Sequence, residues 1–496
     1  MSTRQLSSQL PPANIGGADY ALTRRQFLST TVAIAGAGLL AACGGGDSES
    51  PTNTDQATST APGGSSAETS ATPGDSPAST PEGTAGAPAG QLVVSLPARI
   101  VSLDPLGTSA AEEPVLTVAR HIFDTLVVRD IDTNEYVPSV ATKWETSEDG
   151  TAWTFTLRDD VMFHDGSQLT ARDVQASLER LVELKGPFAA LWATLDSVSA
   201  ESDTVVQIAT QQPLGTVLAN VVLLAIAPAD QMEQEGFFNN PVGSGPFKVV
   251  NYAPDSELVL EANEDYWGTK PGVKTLIFKD IPELAARVTA LVTGEIDFTY
   301  RLPPDQLAAI QDADNVEIVT SPSYRYYFIW MNASREPFTD VRVRQAMIYA
   351  LDIDTMVETL LQGVAERMDA PIPSTVFGYA PQTPYLYDPE RAKALLAEAG
   401  YPDGFETNMI WNPGSDPQDR EIAQALFSYW AAIGVRVEDR QQERAQWLED
   451  LLALNWDLDF QGNGVVTGDA DFVLRRLYHS SANRNGYAND ELDTIL

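Results

Sequence analysis

The sequence predicts a mixed α/β protein built from two or three lobes, on three observations. Roughly 400 residues follow Gln91, too many for one hydrophobic core at the usual domain size. Short β-branched or alternating runs, bounded by Gly, Pro and Asp turns, interleave with stretches of helical period. No internal repeat is visible, so the lobes are not copies of one unit.

The chain before Gln91 reads differently. Residues 27–42 are apolar and small, and the run is too short to span a bilayer at about 20 residues, so it has the length of an export-signal core. Thr23-Arg24-Arg25-Gln26-Phe27-Leu28 before it resembles the twin-arginine export signal. Leu40-Ala41-Ala42-Cys43 after it resembles the lipobox of bacterial lipoproteins, which implies a signal peptide over 1–42 and lipidation of Cys43. Residues 44–90 contain no Lys, Arg or aromatic residue. Together with Cys43 they are expected to form a disordered Ser/Thr/Pro/Gly/Ala-rich tether, 43–90, spanning on the order of 40 Å.

Composition removes several functions. Cys43 is the only cysteine, so neither a disulfide framework nor a cysteine metal site is available. His121, His164 and His479 are the only histidines, which argues against a histidine metal centre. A formal charge of −38, from 69 acidic and 31 basic side chains, repels nucleic-acid phosphates. The chain carries no Gly-x-Ser-x-Gly elbow, no His-Glu-x-x-His and no phosphate-cradling loop with Lys; no catalytic residues, metal or cofactor are expected, and the reading is a non-enzyme, with a hydrolase using a pair of the many carboxylates as the remote alternative.

Element by element, Leu92-Val93-Val94-Ser95-Leu96 suits a buried strand, and Leu103-Asp104-Pro105 turns the chain out of pairing. A helix is predicted over 113–127. Residues 142–158 alternate apolar and polar on both sides of Asp149-Gly150, a hairpin dipeptide, which predicts antiparallel strands. Phe163-His164-Asp165-Gly166 makes a second turn, and Thr170-Ala171-Arg172-Asp173 caps a helix carrying Val174, Leu178 and Leu181. A strand over 204–209 and a helix over the apolar run 217–226 follow. The glycine-rich stretch 241–246 feeds a strand, with further strands at 258–261 and 275–278 and a helix at 285–292. A Tyr-rich strand over 324–332 opens a mainly helical region that includes 341–350 and 389–399.

W-E-T-S-E-D-G (144–150), F-T-L-R (155–158), F-H-D-G (163–166) and L-T-A-R-D-V (169–174) stand in order at tight spacing. G-S-G-P-F-K-V (243–249), N-E-D-Y-W-G (263–268), T-G-E-I-D-F (293–298), F-T-D-V-R-V-R-Q-A-M-I-Y-A-L-D (338–352), Y-D-P-E-R-A-K-A-L-L-A-E-A-G-Y (387–401) and N-G-Y-A-N-D-E-L-D (485–493) follow. In this the chain resembles the extracytoplasmic solute-binding proteins of peptide- and nickel-type ABC importers, family 5, over essentially everything after Gln91. Singly, these strings have plain physical work: Asp149-Gly150 and Asp165-Gly166 form turns, and Trp144 and Trp153 suit a core.

The resemblance implies a class II periplasmic-binding-protein-like fold with a discontinuous first lobe and a hinged ligand cleft. Lobe I is expected at 91–135 plus 241–320, lobe II at 136–240 and lobe III at 321–496. It further implies a monomeric, lipid-anchored receptor outside the cytoplasm that serves ABC permease subunits. Its small-molecule ligand is a peptide first, an oligosaccharide or other solute as the alternative, with a sensor or chaperone role also open. Family members run several tens of residues past the motif at 489–493, which implies that this chain, ending at Leu496, is a truncated form.

Carried over by the resemblance, the cleft is lined by Thr108, Ser109 and Ala110; Tyr300 and Arg301; Tyr324, Arg325 and Tyr326; Trp411 and Asn412; and the loop from Asn463 to Asp471. Its aromatics suit stacking on a ligand, and Arg301 and Arg325 suit either a ligand carboxylate or a surface ion pair. Peptide-binding members hold the peptide amino terminus with an aspartate where ungapped matching here puts Val466. Either Asp469 or Asp471 substitutes for it, or the ligand lacks a free amino terminus.

Overall fold

Strand β1 (Gln91–Ser95) lies parallel to β10 (Thr275–Lys279), and the sheet is completed by β9 (Glu257–Ala262) and β8 (Phe247–Ala253) in the order β1-β10-β9-β8. β1 and its neighbour β10 are therefore far apart in sequence, with a second sheet inserted between them, whereas β8, β9 and β10 follow one another. The computed structural model describes residues 88–496 except 131, 132, 312, 314, 415 and 417. Arg24, Arg25, Cys43 and the tether up to residue 87 lie outside the described residues.

Leu258, Leu260, Leu276 and Phe278 are buried at alternate positions of β9 and β10, the period-2 signature of a sheet with one face on a core. Helix α1 (Glu113–Ile122) contributes Val118 and Ile122 to that core and starts on Glu113-Pro114, an acid and a proline where a helix N-terminus favours both. It stops five residues before the expected end. The chain leaves it at Phe123 in extended conformation, and Val127 pairs in β2 (Val127–Arg129) with β3 (Tyr136–Pro138).

The second sheet, β4 (Ala141–Thr146), β5 (Ala152–Leu157), β7 (Val205–Thr210) and β6 (Leu195–Ser202), runs antiparallel in the order β4-β5-β7-β6. The turn expected at Asp149-Gly150 joins β4 to β5, with Gly150 at φ 71°. Helix α2 (Ala171–Glu183) covers this sheet, and Asp173 accepts the Thr170 backbone N–H at 2.8 Å, the return bond of a capping box. The run 217–226 is helical only over Val217–Val221. Because Leu223 to Ala227 are all buried, the run has no polar face, and its period could not separate helix from buried extended chain.

One continuous core runs beneath both sheets, from Val94 and Ile122 through Phe155 and Ile208 to Phe278. The family-like strings cluster at this junction. His164 Nε2 stands 3.0 Å from the Gly245 carbonyl, its Nδ1 accepts the Gly243 N–H at 3.2 Å, and Asn263 donates to the same Gly245 carbonyl at 3.2 Å. Burial pushes the His164 imidazole down to about 4, so it stays neutral and structural. Asp124 accepts Tyr266 Oη at 2.8 Å and Trp267 Nε1 at 2.9 Å.

A Cβ on Gly243 would overlap the Ile122 carbonyl oxygen, whereas one on Gly215 would meet nothing. Urea unfolding is therefore expected to find Gly243→Ala less stable by about 3 kcal/mol and Gly215→Ala within about 1 kcal/mol of the parent.

The third sheet is mixed: β11 (Arg325–Met331), β14 (Leu458–Gly464), β12 (Glu406–Trp411) and β13 (Arg436–Gln441), in the order β11-β14-β12-β13. β12 is parallel to both β13 and β14, and β11 is antiparallel to β14. Labelled in chain order, α3 (Val341–Tyr349), α4 (Pro389–Glu398) and α5 (Asp419–Ala432) supply the core on one face. Helices α6 (Arg444–Leu452) and α7 (Ala470–Tyr478) supply the other.

Three residues expected to line the cleft are core instead. Ala110 is packed with Leu103 and Leu106, and Trp411 is buried against Met409 and Phe460 with its Nε1 donating to Asp439 at 2.7 Å. Tyr326 is buried with Trp330, and Asn463 donates to its hydroxyl at 3.2 Å. The strand period explains the last case: Arg325 and Tyr327 share one face of β11, and Tyr326 takes the other.

Candidate ligand cleft

The parallel strands β12 and β13 end together at Trp411 and Gln441, while β14, paired with β12 at Leu458 and Asp459, runs on to Gly464 beside the start of β11 at Arg325. Ligands of open α/β sheets sit outside such carboxyl ends. Two loops leave this edge, one carrying Asp416 and one spanning 465–469, and both meet residues of the first sheet's side of the molecule.

At the first meeting point, four charged residues form a chain. Arg301 donates to Glu113 at 2.7 Å through Nη1 and to Asp416 at 2.5 Å through Nη2. Arg325 grips both oxygens of the same Asp416 with Nε and Nη2. The Asp416 side chain is 2% exposed, against 22% for Arg301 and 35% for Arg325. Burial works against the Arg325 charge, and Asp416 more than offsets it, holding the guanidinium protonated. Local structure fixes the acid: Asp419, in the first turn of α5, accepts the Gly414 N–H at 2.7 Å. Gly462 leaves room where a Cβ would strike the Asp416 carboxylate. Arg301 itself takes a left-handed φ of 57°, uncommon for a residue with a side chain.

The second meeting point is the 465–469 loop. Arg129 of β2 donates to the Thr467 carbonyl at 2.6 Å and lies 5.2 Å from the Tyr136 ring centroid. Tyr324 donates to Asn134 at 3.0 Å. Val466 packs on the core of the first two sheets, while its neighbour Val465 is in the core of the third. Asp469 N-caps α7 through the Asp471 N–H at 3.0 Å, and burial pushes its carboxyl up against that hydrogen bond. The buried Tyr136 hydroxyl has no partner among the described residues; burial pushes it up, with Arg129 opposing and Asp469 adding.

The remaining expected residues divide. Thr108 is exposed and Ser109 half-buried in the turn before α1, with the Ser109 carbonyl accepting Glu112 N–H at 3.0 Å. Tyr300 lies beside Phe298, and burial followed by Glu113 pushes its phenol up. Asn412 donates to the Gln442 carbonyl at 2.8 Å. Asn463 faces Tyr326 and Arg476, away from Arg325, and Asp471 turns along α7 to Arg475 at 3.3 Å. Sequence reasoning missed Glu113, Arg129, Tyr136, Asp416 and Gly462. Glu113 carried a helix-start signal beside Pro114, and Asp416 stood in a turn-like Pro-Gly-Ser-Asp-Pro string. Neither signal distinguishes a cleft acid from the other 67.

Among the described residues, no group of three or more His, Cys, Asp or Glu could hold a metal ion, and no helix is long and apolar enough to cross a membrane.

A first sheet assembled from two stretches of chain, a second sheet inserted in it, and a third whose strand ends face the first define a class II periplasmic-binding-protein-like receptor. The family model of bacterial extracellular solute-binding proteins, family 5, matches residues 135–485. The dipeptide-binding protein of Escherichia coli K12 is 30% identical over 397 residues, 74% of each chain. Heme-binding protein A of Haemophilus influenzae is 29% identical over 414 residues, 76% of each. The ABC transporter-associated periplasmic binding protein DppA of Helicobacter pylori, solved with the peptide STSA, superposes with a TM-score of 0.71 at 27% identity, covering 82% of this chain and 86% of that one. The chain belongs to the bacterial extracellular solute-binding proteins, family 5. Its role is that of an extracytoplasmic binding protein of an ABC importer.

Proposed function

We propose that this chain is a lipid-anchored receptor that closes lobes I and III around a small solute and presents it to an ABC permease. The solute class is peptide, by the example of relatives named for a dipeptide and solved with STSA. The observation that carries the reading is the cleft edge itself, where two loops of the third sheet reach Arg301, Glu113 and Arg129 across a seam. Lobe I is taken as 91–135 plus 241–320, lobe II as 136–240 and lobe III as 321 onward.

Within this reading Thr108, Ser109, Tyr300, Tyr324 and Asn412 form cleft walls. Asp469, half-buried beside the Tyr136 hydroxyl, which has no partner among the described residues, is the acceptor for a peptide ammonium. Val466 has no such capacity, since it packs on apolar neighbours. Arg301 and Arg325 serve the protein's own carboxylates and hold the lobes together. Binding and hinge closure need no covalent step, which supports a receptor without turnover.

Isothermal titration of the full chain with a mixed pool of di- to tetrapeptides is expected to give saturable binding, reduced at least about ten-fold in Asp469→Ala. Saturation by an oligosaccharide panel with none by the peptides would replace peptide with sugar as the ligand class, the alternative that Val466 favours.

A further inference from the structure

The Asp416 carboxylate stands between two arginines that would otherwise suit an acid group on the solute. We propose that Asp416 is a specificity-determining residue: a built-in carboxylate that fills the Arg301–Arg325 pair and denies it to an anionic group of the ligand. The inference rests on reading the cleft as the solute site. It specifies that the solute presents a neutral or cationic group at this end.

Three observations carry it. The two guanidiniums are matched by two carboxylates, Glu113 and Asp416, at 2.7 Å and 2.5 Å from Arg301, with Arg325 bidentate on Asp416. A ligand carboxylate arriving there would be a third acid facing two cations, and taking either arginine from Asp416 would strip a partner from a carboxylate that is 2% exposed. The place is also built for the acid. Gly462 removes the side chain that would collide with it, and Asp419 ties down the loop through the Gly414 N–H at 2.7 Å. Finally, the acid is the most deeply buried member of the cluster, at 2% against 42% for Glu113. A counter-ion placed by accident on a surface would be solvated, whereas this one is committed to the pair. Excluding a competing ligand class by placing a like charge in the site is a standard route to specificity.

The test uses the full chain as wild type, Asp416→Asn and Asp416→Ser, titrated with two tripeptide pools of identical sequence. One pool ends in free carboxylates and the other in carboxamides. Loss of ion-pair stabilisation lowers affinity for both pools alike, so the ratio of acid to amide affinity isolates selection. The ratio is expected to rise at least about ten-fold in either neutral variant. An unchanged ratio overturns the proposal, as does a wild type that prefers the free acids by about ten-fold or more. Should neither pool bind any of the proteins, the peptide reading fails and succinate decides. Millimolar succinate is then expected to raise the melting temperature of the neutral variants and leave the wild type unmoved, and equal responses overturn the proposal.

Discussion

Arg301→Gln is expected to weaken solute binding by about 30-fold, whatever the solute. Arg301 links Glu113 at 2.7 Å to Asp416 at 2.5 Å, and those two acids belong to opposite sides of the seam. Removing one partner of a buried ion pair costs about 3–5 kcal/mol. Here Arg325 still compensates Asp416 and the Arg301 side chain is 22% exposed, which brings the loss to about 2 kcal/mol. If the contacts exist only with the lobes together, that loss falls on the closed state, and affinity drops by the corresponding factor. The matched control is Arg172→Gln, whose partner Asp230 lies 2.7 Å away but whose side chains are 68% and 75% exposed. Exposed pairs contribute about 0–1 kcal/mol, so titration should find its affinity unchanged. Equal losses in the two variants would place Arg301 among ordinary surface charges.

Asp459→Asn is expected to stabilise the protein at pH 8 by up to about 4 kcal/mol, with the gain vanishing near pH 4. Asp459 lies in β14, wholly buried, and accepts Trp447 Nε1 at 2.9 Å and Gln461 Nε2 at 2.5 Å. Burial pushes its carboxyl from the ordinary 3.8 up to about 7, against the two hydrogen bonds. The sign follows from proton counting. Below 3.8 both folded and unfolded chains are protonated and the residue is neutral to stability. Between 3.8 and about 7 the unfolded chain has released the proton and the folded chain retains it, so stability falls as pH rises. Above that window the carboxylate is buried charged and the full cost persists. An amide has no such cost. Urea midpoints from pH 4 to pH 8 for parent and variant check this; parallel curves would remove Asp459 as the cause.

The strands were legible because their burial alternates. Leu258, Leu260, Leu276 and Phe278 follow the period of two, and the Asp149-Gly150 turn sets the β4–β5 hairpin. Legibility failed where an apolar run had no polar face, as at 217–226, and where a helix met a buried polar anchor, as at Phe123-Asp124. The proposed cleft was only half legible. Arg301 and Arg325 were found as residues, but their partner was not, because an acid in a turn of so acidic a chain carries no local mark. Tyr326 and Trp411 were misplaced for one reason: aromatic side chains suit a core and a ligand wall equally, and only strand register decides between them. The motifs that identified the family mostly build the joint between the first two sheets, as His164, Asn263, Tyr266 and Trp267 do. They speak to fold, and the ligand is read elsewhere.

Native mass spectrometry of the full chain, incubated in turn with the peptide pool and the sugar panel, tests the central claim most directly. A solute receptor with one interlobe cleft predicts a single stoichiometric adduct from one of the two mixtures, released when the protein is unfolded. A cooperatively folded chain that takes up neither would contradict the account.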